Sequence, residues 1–288
     1  MSTQNNALAS ADNYAVVGNP IAHSKSPDIH LLFADQTGET IRYEKVLAEK
    51  ESISDTFKEF FANGGKGLNI TVPFKTDAHD FVTSLSDYAK NAGAVNTIVL
   101  REDGTFYGAN TDGIGLLRDL KKRLRLQLEQ KKILIIGAGG ATQGIVEPLL
   151  QENPAELVIA NRTVEKGQAI VQRFKPYNVL QSCALDKIPE KNYDVVLHAT
   201  SAGLQQASLD LPEAIIGTNT CCYDLLYSDS GTAFMQWSKS HGAKNVYDGF
   251  GMLLEQAAEA FYLWRKQRPD TAMAYNYFRP NAAQKPSL

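Results

Sequence analysis

The chain predicts an α/β protein of two domains, and three observations carry the prediction. Its 288 residues exceed one ordinary domain on a prior of about 100–200 residues each. Short apolar runs alternate with helical patterns, the signature of parallel strands joined by right-handed crossover helices. One run, Ile133-Leu134-Ile135-Ile136, passes straight into Gly137-Ala138-Gly139-Gly140-Ala141, a buried strand feeding a glycine-rich turn that opens a helix. That turn lies mid-chain, which leaves a domain's length before it to meet something else.

The elements follow in order. Met1 to Asn13 is polar and lacks the apolar core of a signal peptide, and residues 1–12 read as a disordered tail. Tyr14 to Gly18 is a first strand. Pro27 to Ala34 is a helix with Ile29, Leu32 and Phe33 on one face, Ser26 available as N-cap and Pro27 at the first helical position. Arg42 to Leu47 is a second strand, and Ile53 to Ala62 a helix patterned by Phe57, Phe60 and Phe61. Gly67 to Val72 is a third strand, stopped by Pro73. Ala94–Val99 and Thr105–Gly108 form a hairpin around Asp103-Gly104. Leu116, Leu117, Leu120 and Leu124 make a helical stripe that connects the domains. Strands at Ile133–Ile136, Glu156–Ala160 and Val195–Ala199 then alternate with a helix after Gly140 and another from Glu165 to Phe174. Cys222-Tyr223-Asp224 follows a further strand. Met252 to Arg265 is a long helix whose periodicity leaves open which domain it packs on.

Bulk properties exclude several classes. Hydrophobic content of 43% and charged content of 21% describe an ordinary globular chain. A net charge of −3 favours neither nucleic acid nor an anionic membrane. The basic cluster Lys121 to Arg125 interleaves with leucines and lacks aromatic partners, so it reads as the solvated face of a helix. No apolar run approaches the roughly 18 residues of a membrane span. Three cysteines, two of them adjacent, make neither a disulfide framework nor a metal site, and a reducing cytoplasmic setting fits them.

The glycine turn suits a dinucleotide. Glycines allow the backbone to approach a pyrophosphate, and the helix N-terminus holds it through free N–H groups. Thr142 stands where a strict G-x-G-x-x-G has its third glycine. The next strand ends Ala160-Asn161-Arg162-Thr163, with Lys166 shortly after. NAD sites place Asp or Glu here to accept from the ribose 2′-hydroxyl. An arginine instead matches a 2′-phosphate, so NADP is expected over NAD.

Three polar clusters precede this unit. Gly18 to Pro27 carries Ser24 and Ser26 at a helix entrance, suited to a carboxylate. Asn69 and Thr71 share a strand face, after which the chain turns to present Lys75. Asn96 joins Asn110-Thr111-Asp112-Gly113 as the third. A lysine near a nicotinamide can move a proton to or from an alcohol, and Asp112 can orient it and share that work.

Together GNPIAHSKSP (18–27), NITVPFK (69–75), AGAVNT (92–97), NTDG (110–113), GAGGA (137–141), NRT (161–163), CYDLLY (222–227) and DGFGMLLEQA (248–257) resemble the shikimate dehydrogenases over essentially the whole chain after the tail. The resemblance implies an N-terminal α/β substrate domain and a Rossmann-like NADP-binding domain. It also implies reversible NADPH-dependent reduction of 3-dehydroshikimate to shikimate in chorismate and aromatic amino-acid biosynthesis. By the same resemblance, Lys75 and Asp112 are the catalytic pair. Ser24 and Ser26 bind the substrate carboxylate. Asn69, Thr71, Asn96, Asp112 and Gln256 bind ring hydroxyls, and Tyr223 approaches the substrate. Gly137, Ala138, Gly139, Gly140 and Ala141 hold the pyrophosphate. Asn161, Arg162 and Thr163 hold the adenosine ribose and 2′-phosphate, with Lys166 beside them, and Gly249 and Met252 line the nicotinamide. The substrate domain is then split, 13–112 plus 249–288, around a cofactor domain at 113–248. A monomer or homodimer with small-molecule partners is expected. The alternatives are an NAD-using quinate/shikimate dehydrogenase and a silent nucleotide-binding module. Two positions depart from the family pattern. His198 stands at the usual Asn and reads as structural, with a changed cofactor contact as the other reading. Phe250 stands at the usual Leu.

Overall fold

The computed structural model describes residues 11–200 and 210–280. These fall into two compact units, one made of 1–115 with 254–288 and the other of 116–253. The changeovers lie three and five residues beyond the expected 112 and 248.

The first unit is a six-stranded sheet of order β2-β1-β3-β5-β6-β4. Strand β1 (Asp12–Gly18) pairs in parallel with β2 (Ile41–Leu47) and β3 (Gly65–Ile70). Strands β5 (Thr97–Leu100) and β6 (Phe106–Ala109) form the expected antiparallel hairpin, and Gly104 takes a φ of +80° in its turn. Short β4 (Ser84–Leu85) closes the edge beside β6. Strand β1 starts two residues before the expected Tyr14, because Asp12 both extends the ladder to Ile41 and pairs with Arg265.

Helix α1 (Ser26–Thr37) buries Ile29, His30 and Phe33 and ends at Gly38 in the left-handed region. Its N-cap is Lys25 rather than Ser26, and Ser24 Oγ instead accepts the Ser26 N–H at 3.2 Å. Helix α2 (Ile53–Ala62) buries Ile53, Phe57 and Phe61, a four-residue spacing on one face. They meet Leu68, Ile70 and Ile98 of the sheet in one core. Helices α3 (Lys75–Phe81) and α4 (Asp87–Ala92) were not apparent from the sequence, being one to two turns long.

Buried His30 stacks on Tyr43 at 4.4 Å and lies 5.2 Å from the Trp264 ring. Desolvation pushes the imidazole from its usual 6.5 down to about 3. The unfolded chain therefore takes up this proton first. The site's stabilising contribution is complete above pH 6.5 and is lost as the pH falls toward 3. His30→Phe is expected to flatten the pH dependence of the urea midpoint across that window, and a wild-type slope in the variant would exclude His30 as its source.

Helix α5 (Asp112–Arg118) leads out of the first unit and continues as a π-helical turn, Asp119–Arg123, in the second. A single helix over the leucine stripe is expected from its spacing. The turn widens instead, with Leu124 N–H donating to Asp119 O, and the buried Asp119 carboxylate takes Arg123 bidentately at 2.5 and 2.8 Å. Lys121 pairs with Glu152 at 2.6 Å.

The second sheet runs β12-β11-β10-β7-β8-β9, all parallel. Its strands are β7 (Lys132–Ile136), β8 (Glu156–Ala160), β9 (Leu180–Cys183), β10 (Val195–His198), β11 (Cys221–Asp224) and β12 (Asn245–Asp248). This is the doubly wound dinucleotide-binding order, with a switch point between β7 and β10. Helices α6 (Gly140–Gln151), α7 (Val164–Arg173) and α8 (Ala233–Ser240) make the β7–β8, β8–β9 and β11–β12 crossovers. Ile133, Leu134, Ile135, Leu157, Ile159, Val196 and Leu197 are fully buried or nearly so, as strands covered on both faces require.

Helix α9 (Phe250–Arg265) returns the chain, and from Leu254 onward it groups with the first unit. There Trp264 lies over Gly67, donates its Nε1–H to Ile98 O at 3.0 Å and sits 4.6 Å from the Tyr14 ring. A last helix, α10 (Thr271–Phe278), is capped by the Asp270 carboxylate. Among the described residues no helix is long and apolar enough to cross a membrane.

Candidate active site

In the first unit two loops lie side by side, because the Asn19 N–H donates to Val72 O at 3.0 Å. One carries Ser24 and Ser26 and the other Thr71 and Lys75. Ser24 is half-buried and Ser26 buried. Lys75 is the first residue of α3, and its carbonyl is fixed by the Val95 N–H at 2.8 Å.

Asn96 organises the polar residues. Its backbone joins two strand ends, accepting from Ile70 N–H and donating to Ala109 O. Its side chain, 3% exposed, donates to Asp112 Oδ1 at 2.8 Å and Thr111 Oγ1 at 2.9 Å, and accepts from Thr111 N–H at 2.9 Å. Lys75 Nζ donates to the other Asp112 oxygen, Oδ2, at 2.5 Å. Gln256 Oε1 lies 3.4 Å from both the Asn96 amide and the Thr111 hydroxyl. Asn69 is buried beside them, accepting from Tyr43 Oη at 2.7 Å and facing Thr97 Oγ1 at 3.3 Å. Burial holds the Tyr43 phenol well above its ordinary range, so it remains a neutral donor.

The result is an ammonium and a carboxylate in contact, with side-chain exposures of 15% and 8%, inside a ring of amides and hydroxyls. Such a site can bind a polyhydroxylated ring and move one proton. Lys75, Asp112, Asn69, Asn96 and Gln256 come together in it. Tyr43, Thr97 and Thr111 support it. Asn69 and Thr97 are register partners on β3 and β5, a relation visible only once the strands are paired.

In the second unit the glycine turn fits a dinucleotide. Gly137 has a φ of +115°, and a Cβ there would lie 3.0 Å from the Ala199 carbonyl. Gly139 N-caps α6 and has open space around its missing Cβ, while Gly139 and Gly140 are exposed. The first turn of that twelve-residue helix offers its free N–H groups there. Ala138 is buried and Ala141 half-buried. Thr142, in the third glycine's place, is fully buried and donates to Gly137 O at 2.9 Å, so it braces the turn. Asn161 ties the turn to the end of β8, accepting from Ala138 N–H at 3.1 Å and donating to Thr163 O at 2.7 Å. Arg162, Thr163 and Lys166 stand exposed beyond it.

Three further expected residues sit deeper. Tyr223 is fully buried in the second unit, donating to Asp119 Oδ2 at 2.7 Å and accepting from Met252 N–H at 3.2 Å. Burial and the Asp119 carboxylate keep its phenol protonated far above the usual range. The structure therefore gives Tyr223 and Met252 partners in the interior. Asp119, the anchor of Tyr223, was missed because its sequence neighbours suggested a solvated face. Gly249 is required by packing, since a Cβ would fall 2.2 Å from Leu225 O. Phe250 is buried against Tyr227 at 6.1 Å between ring centres.

Comparison with known proteins agrees with this geometry. The chain matches the shikimate dehydrogenase substrate binding domain over residues 16–98, the shikimate/quinate 5-dehydrogenase family over 119–208 and the shikimate 5′-dehydrogenase C-terminal domain over 249–272. It is 49% identical over 261 residues to a shikimate dehydrogenase (NADP(+)) of Hahella chejuensis, covering 91% of this chain and 96% of that one. Among solved structures, the Ael1 enzyme of Pseudomonas putida superposes with a TM-score of 0.86 at 38% identity, covering 93% and 98% of the two chains. The Thermus thermophilus shikimate 5-dehydrogenase in complex with NADP(H) and shikimate superposes with a TM-score of 0.82 at 31% identity, covering 93% and 99%. Three family models in chain order and near-complete coverage of each relative leave one conclusion: this chain belongs to the shikimate dehydrogenase family.

Proposed function

We propose that the chain interconverts 3-dehydroshikimate and shikimate with NADP, serving chorismate and aromatic amino-acid biosynthesis. The observation that carries the reading is the Lys75–Asp112 contact at 2.5 Å within the amide and hydroxyl ring around Asn96. When bound, the reduced nicotinamide supplies the hydride to the ketone carbon. Lys75 Nζ gives its proton to the carbonyl oxygen as charge develops there, and recovers one from the alcohol in the reverse direction. Asp112 holds the ammonium in place, and Asn96 holds Asp112. Ser24 and Ser26 take the substrate carboxylate, while Asn69, Thr71, Asn96 and Gln256 take its hydroxyls. Gly137 to Ala141 receive the pyrophosphate at the α6 N-terminus, and Asn161, Arg162, Thr163 and Lys166 the adenosine ribose with its 2′-phosphate. Gly249 and Met252 line the nicotinamide, and Tyr223 is the second unit's residue toward the substrate.

The first unit is thus the substrate domain and the second the cofactor domain. The net charge of −3 supports small-molecule rather than nucleic-acid partners, and the three free thiols support a reducing cytoplasm. A monomer or homodimer completes the reading, with size-exclusion chromatography to separate the two. The functional test is NADP-dependent oxidation of shikimate followed by NADPH absorbance. Quinate and NAD serve as competitors in parallel assays. Robust turnover of shikimate with NADP is expected. No turnover would sink the proposal, and higher kcat/KM for quinate with NAD would replace it.

A further inference from the structure

His198 ends β10 at the switch point of the second sheet, paired in register with Ile136 of β7 on one side and Asp224 of β11 on the other. In open parallel sheets a dinucleotide lies beyond the carboxyl ends of the strands at such a point. The ring is 1% exposed and both of its nitrogens are engaged. Nδ1 lies 3.0 Å from Asp224 Oδ1, and Nε2 lies 2.8 Å from Thr200 Oγ1. Phe234 stacks on the ring at 4.9 Å. With the ring proton on Nδ1, facing the carboxylate, Nε2 accepts from the Thr200 hydroxyl.

Thr200 in turn backs the glycine turn. A Cβ on Gly137 would come within 2.9 Å of Thr200 Cγ2 and 3.0 Å of the Ala199 carbonyl. Ala199 N–H donates to Ile136 O at 2.8 Å, so the β10 end and the start of the glycine turn are also joined through backbone. An unbroken run therefore leads from Asp224 through His198 and Thr200 to Gly137. An asparagine here would be shorter than the imidazole and would leave the Thr200 hydroxyl without its Nε2 acceptor.

We infer that His198 is a positioning residue for the dinucleotide: by tying Thr200 to Asp224 it fixes the end of β10 against Gly137 and so sets the surface on which the pyrophosphate turn rests. This rests on the NADP reading above.

The test is NADP+ affinity by isothermal titration calorimetry, with thermal melting in parallel, for wild type, His198→Asn, Thr200→Val and the double variant. Each single change is expected to raise Kd about three- to tenfold, the range of one hydrogen bond. The double variant is expected to do no worse than the weaker-binding single, because both break the same contact. Thr200→Val keeps the His198–Asp224 pair and the volume of the site, so it carries the test if His198→Asn fails to fold. Unchanged Kd in folded Thr200→Val overturns the inference, as do additive losses in the double variant or a lowered melting temperature with unchanged Kd. If wild type itself does not bind NADP+, the cofactor reading falls and this inference with it. Wild-type binding with indifferent variants sinks the inference alone.

Discussion

Lys75→Ala is expected to lower kcat for shikimate oxidation by about 10²–10⁴-fold, the range for losing a positioned general acid–base, while KM changes far less. The split between the two constants follows from the site. Substrate hydroxyls and carboxylate are assigned to Asn69, Thr71, Asn96, Gln256, Ser24 and Ser26, none of which the substitution touches. The Asn96 amide still holds Asp112 Oδ1 at 2.8 Å, so the carboxylate keeps one fixed partner when the ammonium is gone. What disappears is the proton source at Nζ and the positive charge beside the developing alkoxide, which act on the transition state and little on ground-state binding. Asp112→Asn provides the companion measurement. It keeps an acceptor for Asn96 but removes the charge that holds Nζ at 2.5 Å, so it should lower kcat in the same direction. Near-wild-type turnover in Lys75→Ala would remove Lys75 from the chemistry and leave the pair a structural ion pair.

The fold was legible where apolar runs are long. Ile133–Ile136 and Glu156–Ala160 appear in the structure with the bounds the sequence suggests, within one residue, because strands buried on both faces admit few polar residues. The hairpin was legible from Asp103-Gly104 because a left-handed turn residue has a strong preference for glycine. Short helices were not. Helix α3 opens on Lys75 two residues after Pro73, and seven residues carry too little periodicity to stand out. The Asp119–Arg123 turn was hidden for a different reason. A row of cations resembles a solvated face, and only the fold shows that Asp119 is buried with Arg123 and Tyr223 as partners. At the candidate site the charged and amide residues stood out in the sequence. Tyr43 and Thr97 did not, since their part depends on which strands pair.

Arg162→Ala is expected to lower kcat/KM with NADPH by about 10–100-fold, the worth of a hydrogen bond to a charged group, and to leave the value with NADH unchanged. The residue stands exposed just past β8, beyond Asn161, whose amide is tied to Ala138 and Thr163. The surrounding turn does not depend on the arginine, so the substitution removes a guanidinium without disturbing the pyrophosphate loop. Only the 2′-phosphate distinguishes the two cofactors, so a loss confined to NADPH reports the contact directly. Exposure sets a second expectation. The NADPH advantage should shrink as salt is raised toward about 1 M, where the screening length falls to roughly 3 Å. Exposed Lys166 in the first turn of α7 shares the field, and Lys166→Ala should add a smaller loss in the same direction. Equal loss with both cofactors would mean that Arg162 serves the turn rather than the phosphate, and an unchanged NADPH/NADH ratio would move the 2′-phosphate site elsewhere on the second unit.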